Sequence, residues 1–207
     1  VRRPRDYAPR GSSAARGERL KALFGFDADS VFLSPAPLYH AAPLRFTTTL
    51  LRLDATLVLM DRFDAAAALR LLATEQVTHS QWVPTMFRRL LDASAGASRA
   101  ANPPSHRCAI HAGAPCPADI KRAMIDWWGP ILHEYYSGTE SVGFTHITSE
   151  EWLRFPGSVG RPWGCEVHIV DETGQELGHD QRGAVYFSGR GPVNYHNDGD
   201  KSRAAND

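Results

Sequence analysis

The sequence predicts an α/β fold: a largely parallel sheet with flanking helices, followed by a small antiparallel β-rich segment. Three observations carry this. Short apolar or β-branched runs recur along the first two thirds of the chain. Helix-periodic stretches fill the spaces between them, as βαβ units require. Beyond about residue 150 the pattern changes to two strand-like runs joined by a polar turn.

The strand candidates, in order, are Val31-Phe32-Leu33, Thr56-Leu57-Val58-Leu59-Met60, Val77-Thr78-His79-Ser80-Gln81-Trp82-Val83, Cys108-Ala109-Ile110-His111 and Ile131-Leu132. Between them, residues 64–75 place Leu69, Leu72 and Ala73 at i, i+3 and i+4, the spacing of one helix face. Residues 84–92 open on a proline, which suits the first helical position, and repeat that spacing with Met86, Phe87, Leu90 and Leu91. Residues 117–128 begin Pro-Ala-Asp, with the acid in the first turn where the helix dipole favours it. In the last part Val167 and Ile169 alternate with His168 before the turn Asp171-Glu172-Thr173-Gly174, and Ala184-Val185-Tyr186-Phe187 follows Gly183. That pattern reads as an antiparallel pair. The expected division is an α/β part over 1–147 and a β-rich part over 148–207.

Bulk composition narrows the function. Apolar content is 43% and charged content 22%, ordinary for a soluble globular chain. Lys plus Arg (23) equals Asp plus Glu (23), so no charge imbalance argues for a nucleic-acid partner. The basic cluster Arg2-Arg3-Pro4-Arg5 reads as a solvated end. No apolar run approaches the ~18 residues of a membrane span, and no signal-peptide hydrophobic region opens the chain. Three cysteines, Cys108, Cys116 and Cys165, form an odd and sparse set that fits free thiols in a reducing, cytoplasmic setting. The chain begins at Val1 and stops in a polar run, so it is expected to be a piece of a longer protein. Oligomeric state is not legible.

The densest chemistry lies in Glu134-Tyr135-Tyr136-Ser137-Gly138-Thr139-Glu140, where the apolar run Pro130-Ile131-Leu132-His133 feeds a tight turn. Hydroxyls and backbone N–H groups donate to phosphate oxygens, and a hard carboxylate oxygen holds Mg²⁺. By composition alone the same residues also make an ordinary polar turn.

Tyr136-Ser137-Gly138-Thr139-Glu140 resembles the Tyr-Gly-x-Thr-Glu signature of the adenylate-forming (ANL) superfamily of acyl-CoA synthetases, luciferases and adenylation domains. Three further segments resemble the family in the same order: Pro37-Leu38-Tyr39-His40, Ala112-Gly113-Ala114-Pro115 and Gly157-Ser158-Val159-Gly160-Arg161-Pro162. The resemblance implies part of the family's large N-terminal domain, with ATP or AMP, Mg²⁺ and coenzyme A as reactants. It implies that Glu140 binds Mg²⁺ and that Thr139 hydrogen-bonds the α-phosphate, where charge grows in the transition state. Tyr136 would offer its face to adenine. Tyr135, Ser137 and Gly138 complete the nucleotide segment, Tyr135 being the one expected to turn toward the core, because strand neighbours face opposite ways. Ala112, Gly113, Ala114 and Pro115 correspond to the adenine-contacting loop, glycine allowing close backbone approach. His40 corresponds to the histidine near the acyl carboxylate. Trp82, Thr85 and Met86, with Val83, are placed as walls of an acyl pocket, ordinary core packing being the competing role.

Other site classes fit poorly. Cys108 and His111 lie on one strand facing opposite ways, which makes a poor metal pair even with Cys116. No Gly-x-Ser-x-Gly elbow, no Gly-x-x-x-x-Gly-Lys-Ser/Thr phosphate loop and no Gly-x-Gly-x-x-Gly fingerprint occurs.

The sequence also departs from the family pattern. The Ser/Thr/Gly-rich phosphate loop, the ribose-binding aspartate and the small C-terminal domain with its lysine are missing. Ala184 follows Gly183 where relatives usually carry Glu. The expectation is therefore a fragment, nearly inactive by itself, of an ATP-dependent acyl-CoA ligase. Amino-acid-activating members of the family usually place an aspartate near the His40 segment, and residues 35–43 contain no acid, so the resemblance implies an acid without an α-amine. Residues 37–43, 82–86 and 114–117 resemble bacterial fatty-acyl or bile-acid/steroid-acid CoA ligases most, which implies a fatty, steroid or aryl acid. The alternatives are an enzyme that loads a carrier protein and an inactive AMP-binding fragment.

Overall fold

The computed structural model describes residues 11–94, 100–140, 142–189 and 192–206; Val1 and the Arg2-Arg3-Pro4-Arg5 cluster lie outside them. Helix α1 (Gly11–Phe24) leads into β1 (Val31–Ser34), α2 (Ala41–Leu51), β2 (Thr56–Leu59), α3 (Ala65–Thr74), β3 (His79–Trp82) and α4 (Pro84–Ala93). Then come β4 (Cys108–His111), α5 (Ala118–Trp128), β5 (Leu132–Tyr136), β6 (Thr145–Thr148), α6 (Ser149–Arg154) and β7 (Arg161–Pro162). A hairpin of β8 (Glu166–Val170) and β9 (Ala184–Ser188) precedes the short α7 (Gly199–Ala204). The sheet order is β2-β1-β3-β4-β5-β6-β7, with β8-β9 as a separate two-stranded sheet. This is the α/β architecture expected from the alternating pattern.

The chain folds as two compact units. One holds the described residues of Val1–Trp82 and Asn102–Ala109, the other those of Val83–Ala101 and Ile110–Asp207. Residue 147 lies inside β6.

In the first unit β1 pairs in parallel with β2 and with β3. Its core is a ring cluster: Phe26 meets Phe32 edge-on at 6.0 Å, and Phe46 stacks on Phe32 at 6.1 Å. His79 is fully buried and donates through Nε2 to the Phe24 carbonyl (3.0 Å), while Nδ1 meets the Thr78 hydroxyl (2.7 Å). A buried imidazole with both nitrogens bonded costs little.

In the second unit the apolar faces of α4 and α5 bury Phe87, Leu90, Met124 and Trp128. Strand β5 pairs antiparallel with β6, in the register Glu134↔Ile147 and Tyr136↔Thr145, and β6 pairs with β7. Here the structure corrects the sequence reading. The strand continues through Tyr135 and Tyr136 rather than ending near His133, because β6 extends the hydrogen-bonded ladder past that point. Ser149 pins this corner: its Oγ accepts from the Leu132 N–H and donates to the Leu132 carbonyl, both at 2.9 Å. Helix α6 starts on a capping box, with Thr148 and Glu151 satisfying each other's backbone N–H groups.

The expected turn at Asp171–Gly174 closes the β8 end. Asp171 Oδ1 accepts from the Thr173 hydroxyl (2.7 Å) and from the N–H of Gln175 (3.0 Å) and of Thr173 (2.8 Å), and these bonds, the hydroxyl's first, hold its carboxyl below the usual range. Gly183 lies where a Cβ would come within 2.2 Å of the Val170 carbonyl oxygen, so the strand entry excludes any larger residue. No helix among the described residues is long and apolar enough to cross a membrane.

Candidate functional site

Two exposed segments of the second unit leave the C-terminal ends of β4 and β5, which neighbour each other in the sheet. Ligands of open α/β sheets collect at such strand ends. The first segment, Ala112-Gly113-Ala114-Pro115, turns on Gly113 at φ 90°, a conformation that an L side chain resists. Gly113, Ala114 and Pro115 are exposed and Ala112 half-buried.

The second segment starts inside β5. Tyr135 points inward, 8% exposed, with its ring stacked on Phe144 at 5.1 Å. Tyr136, 45% exposed, lies on the opposite face with its ring 6.0 Å from Phe187. The alternation expected of strand neighbours separates a core tyrosine from an accessible one. The Ser137 hydroxyl donates to the Gly143 carbonyl at 2.6 Å, closing the turn on itself. Gly138 lies under the Glu140 side chain, where a Cβ would meet Oε2 at 3.1 Å. Thr139 and Glu140 are exposed.

Glu140 has a partner that the sequence did not reveal. The Tyr195 hydroxyl donates to Glu140 Oε1 at 3.1 Å, and the Lys201 ammonium lies 4.2 Å from the centre of the Tyr195 ring. The hydrogen bond to the carboxylate pushes the Tyr195 phenol above its ordinary range. Nothing local to Tyr195 signals this contact, which spans 55 positions of sequence.

Beneath the two segments lies a buried polar group, also missed from sequence. Lys121 of α5, with no solvent exposure, donates to Glu134 Oε2 at 2.5 Å, and His111 Nε2 lies 3.8 Å from the same oxygen. A glutamate directly before two aromatic residues in a strand was the available signal.

His40 and Trp82 belong to the first unit, Thr85 and Met86 to the second. His40 is exposed at the N-terminus of α2, its ring 4.4 Å from that of Tyr39, and makes no side-chain capping bond. Trp82 is 1% exposed and built into the core. Its indole N–H donates to Ser80 Oγ at 2.6 Å, Ser80 meets His106 Nε2 at 2.7 Å, and His106 Nδ1 meets Asn102 Oδ1 at 2.7 Å. This Ser-His-Asn chain has the order of a nucleophilic relay, yet Ser80 is fully buried and His106 2% exposed. It fixes Trp82. Thr85 is exposed in the first turn of α4, and Met86 is buried beside it.

Neither a reactive thiol at Cys108 or Cys116 nor a protein metal cage fits. Burial pushes the thiols of Cys108 and Cys116 up to about 12, so neither is a thiolate near neutrality. Among the described residues no group of three or more His, Cys, Asp or Glu could hold a metal ion. A single exposed carboxylate such as Glu140 suits Mg²⁺, which takes one or two carboxylates and completes its shell with phosphate oxygens and water.

Comparison with known proteins decides the family. The model of the AMP-binding enzyme family matches residues 12–194. The chain belongs to the AMP-binding enzyme family. Within that family, a feruloyl-CoA synthase of an Amycolatopsis species is 29% identical over 164 residues, covering 78% of this chain and 33% of the relative. The medium/long-chain-fatty-acid–CoA ligase FadD8 of Mycobacterium tuberculosis is 28% identical over 181 residues, covering 81% and 29%. Among solved structures, the amide bond synthetase McbA of Marinactinospora thermotolerans superimposes with TM-score 0.80 at 24% identity, over 93% of this chain and 40% of that one. The O-succinylbenzoate coenzyme A synthetase of Bacillus subtilis in complex with AMP gives TM-score 0.78 at 23% identity, over 93% and 39%. These likenesses establish the fold. The chain spans about a third of the length of the curated relatives it matches.

Proposed function

We propose that this AMP-binding chain is a middle portion of the large domain of an ATP-dependent acyl-CoA ligase. Such an enzyme joins a carboxylic acid to AMP with release of pyrophosphate, then passes the acyl group to the thiol of coenzyme A. The observation that carries this reading is the pairing of two exposed segments at neighbouring strand ends. One offers backbone at a left-handed glycine, the other an exposed hydroxyl followed by an exposed carboxylate.

Each residue then has a task. The backbone of 112–115 lies along the adenine edge, with the accessible face of Tyr136 against the ring. The Thr139 hydroxyl donates to an α-phosphate oxygen, where negative charge builds as the substrate carboxylate attacks. Glu140 holds Mg²⁺, which when bound neutralises phosphate charge. His40, exposed at a helix N-terminus, hydrogen-bonds the substrate carboxylate. Thr85 and Met86 contact the acyl group. The absence of an acid in 35–43 favours a fatty, steroid or aryl acid over an amino acid.

Adenylation is mostly positioning and electrostatics. This chain carries no phosphate-loop motif, so the fragment alone is nearly inactive. The test is ATP–pyrophosphate exchange, run on the chain and on the longer protein with representative acids. The proposal expects acid-dependent exchange only in the longer protein. Equal rates in both, or no exchange in the longer protein with any acid, would contradict it.

A further inference from the structure

The Lys121–Glu134 ion pair is buried. Lys121 has no exposure and Glu134 is 6% exposed, with Nζ and Oε2 2.5 Å apart. His111 is fully buried beside them and makes no hydrogen bond through either ring nitrogen. Burial, and then the Lys121 cation, hold its pKa well below the usual range, so it is neutral. The Lys121 ammonium also lies 4.9 Å from the centre of the Trp152 ring.

Such an arrangement is poorly explained by stability. Desolvating two charges commonly costs as much as their attraction returns, and an apolar pair of similar volume often serves as well. Its position is more informative. His111 is the residue immediately before Ala112. Lys121 lies in the first turn of the helix that follows the 112–115 segment. Glu134 precedes Tyr136 by two positions in the same strand. All three chain segments that carry the nucleotide-facing loops therefore meet at one buried carboxylate. Resting on the nucleotide reading above, we propose that Lys121 and Glu134 are positioning residues that hold the 112–115 and 136–140 loops in a fixed mutual geometry. The ion pair has one short, directional solution, whereas an apolar pair would tolerate sliding of α5 along β5. A small displacement there separates the adenine-facing backbone from Thr139 and Glu140.

The test compares the chain with Lys121→Met, Glu134→Leu and the double variant carrying both. Each single variant leaves a buried charge unpaired and lowers the melting temperature. The double variant removes both charges and recovers most of that loss. Two further readouts separate positioning from stability. The first is the backbone order parameter of Gly113 and Gly138 from nitrogen-15 relaxation, compared with Gly174 and Gly178 in the β8–β9 connection. The second is AMP affinity. In the double variant both loop glycines are expected to fall from rigid values near ~0.85 toward ~0.6 or lower, the reference glycines to stay unchanged, and AMP affinity to drop about tenfold. Loop order parameters equal to those of the parent chain in the double variant overturn the proposal, whatever its melting temperature. If the parent chain itself fails to bind AMP, the nucleotide reading fails, and the order parameters still decide the positioning claim.

Discussion

The hydroxyl of Tyr195 donates a hydrogen bond to Glu140 Oε1 at 3.1 Å, joining the segment before α7 to the carboxylate proposed to bind metal. A cation and a hydroxyl proton compete for the same oxygen lone pairs. Tyr195→Phe is therefore expected to tighten Mg²⁺ at Glu140 by roughly threefold, the scale of one modest hydrogen bond at an accessible site. Magnesium titration in the presence of ATP checks this, and weaker binding in the variant would show that the hydroxyl instead supports the metal-bound carboxylate. The converse holds for the phenol. Because Glu140 is what raises the Tyr195 pKa, Glu140→Gln should lower it toward the ordinary value, readable by carbon-13 titration of the tyrosine ring.

Gly160, inside the family-like segment 157–162, adopts φ 87°, and a Cβ there would come within 1.9 Å of the His146 carbonyl oxygen. The obstacle is backbone of β6, which cannot swing aside. Gly160→Ala should cost about 3 kcal/mol, from left-handed strain together with displacement of the β6–β7 pairing. Urea unfolding measures it. A loss within ~0.5 kcal/mol would mean that β7 is dispensable to the unit.

Burial holds His106 down to about 3, against 6.5 for a free histidine. Between those values the unfolded chain binds a proton that the folded chain refuses, so stability rises with pH across that window. It is complete above about 6.5 and falls on acidification, by on the order of 1 kcal/mol per pH unit for this residue. His146, lowered to about 4 mainly by burial, acts in the same direction. Melting temperatures from pH 7.5 down to 4 should decline, and His106→Gln should flatten part of that decline.

Ser80 bridges the Trp82 indole and His106, so Ser80→Ala leaves two buried polar groups without that partner. The expected loss is about 2 kcal/mol, measured by urea unfolding. Ser80→Cys, which retains a weak hydrogen-bonding group of similar size, should recover part of it.

Much of the fold is legible because its elements obey local rules. Helices α3, α4 and α5 fall within a residue or two of their apolar periodicity, and the β8–β9 hairpin follows from alternation and the Asp171–Gly174 turn. Strands β6 and β7 are not legible. Thr145-His146-Ile147-Thr148 is short and mixed, and Arg161-Pro162 gains strand character only by pairing with it. The same pairing carries β5 through Tyr136, which no property of residues 130–136 alone would reveal. At the site, the division between Tyr135 and Tyr136 is a matter of strand parity and is readable. Tyr195 and Lys121 are not, since their partners lie 55 and 13 positions away and are met only in the folded chain. Trp82 shows how one residue type serves two roles: sequence offers it as a pocket wall, and the structure gives its indole N–H to the core through Ser80.

The central claim is that Glu140 and Thr139 form the metal-and-phosphate corner of a nucleotide site. Titration calorimetry of AMP into the chain, with and without Mg²⁺, tests it against Glu140→Ala. The account predicts that Mg²⁺ strengthens AMP binding to the unaltered chain about tenfold or more and has no effect on the variant, whose melting temperature changes little because the side chain and its bond to Tyr195 are exposed. Equal Mg²⁺ dependence in the two proteins would contradict it.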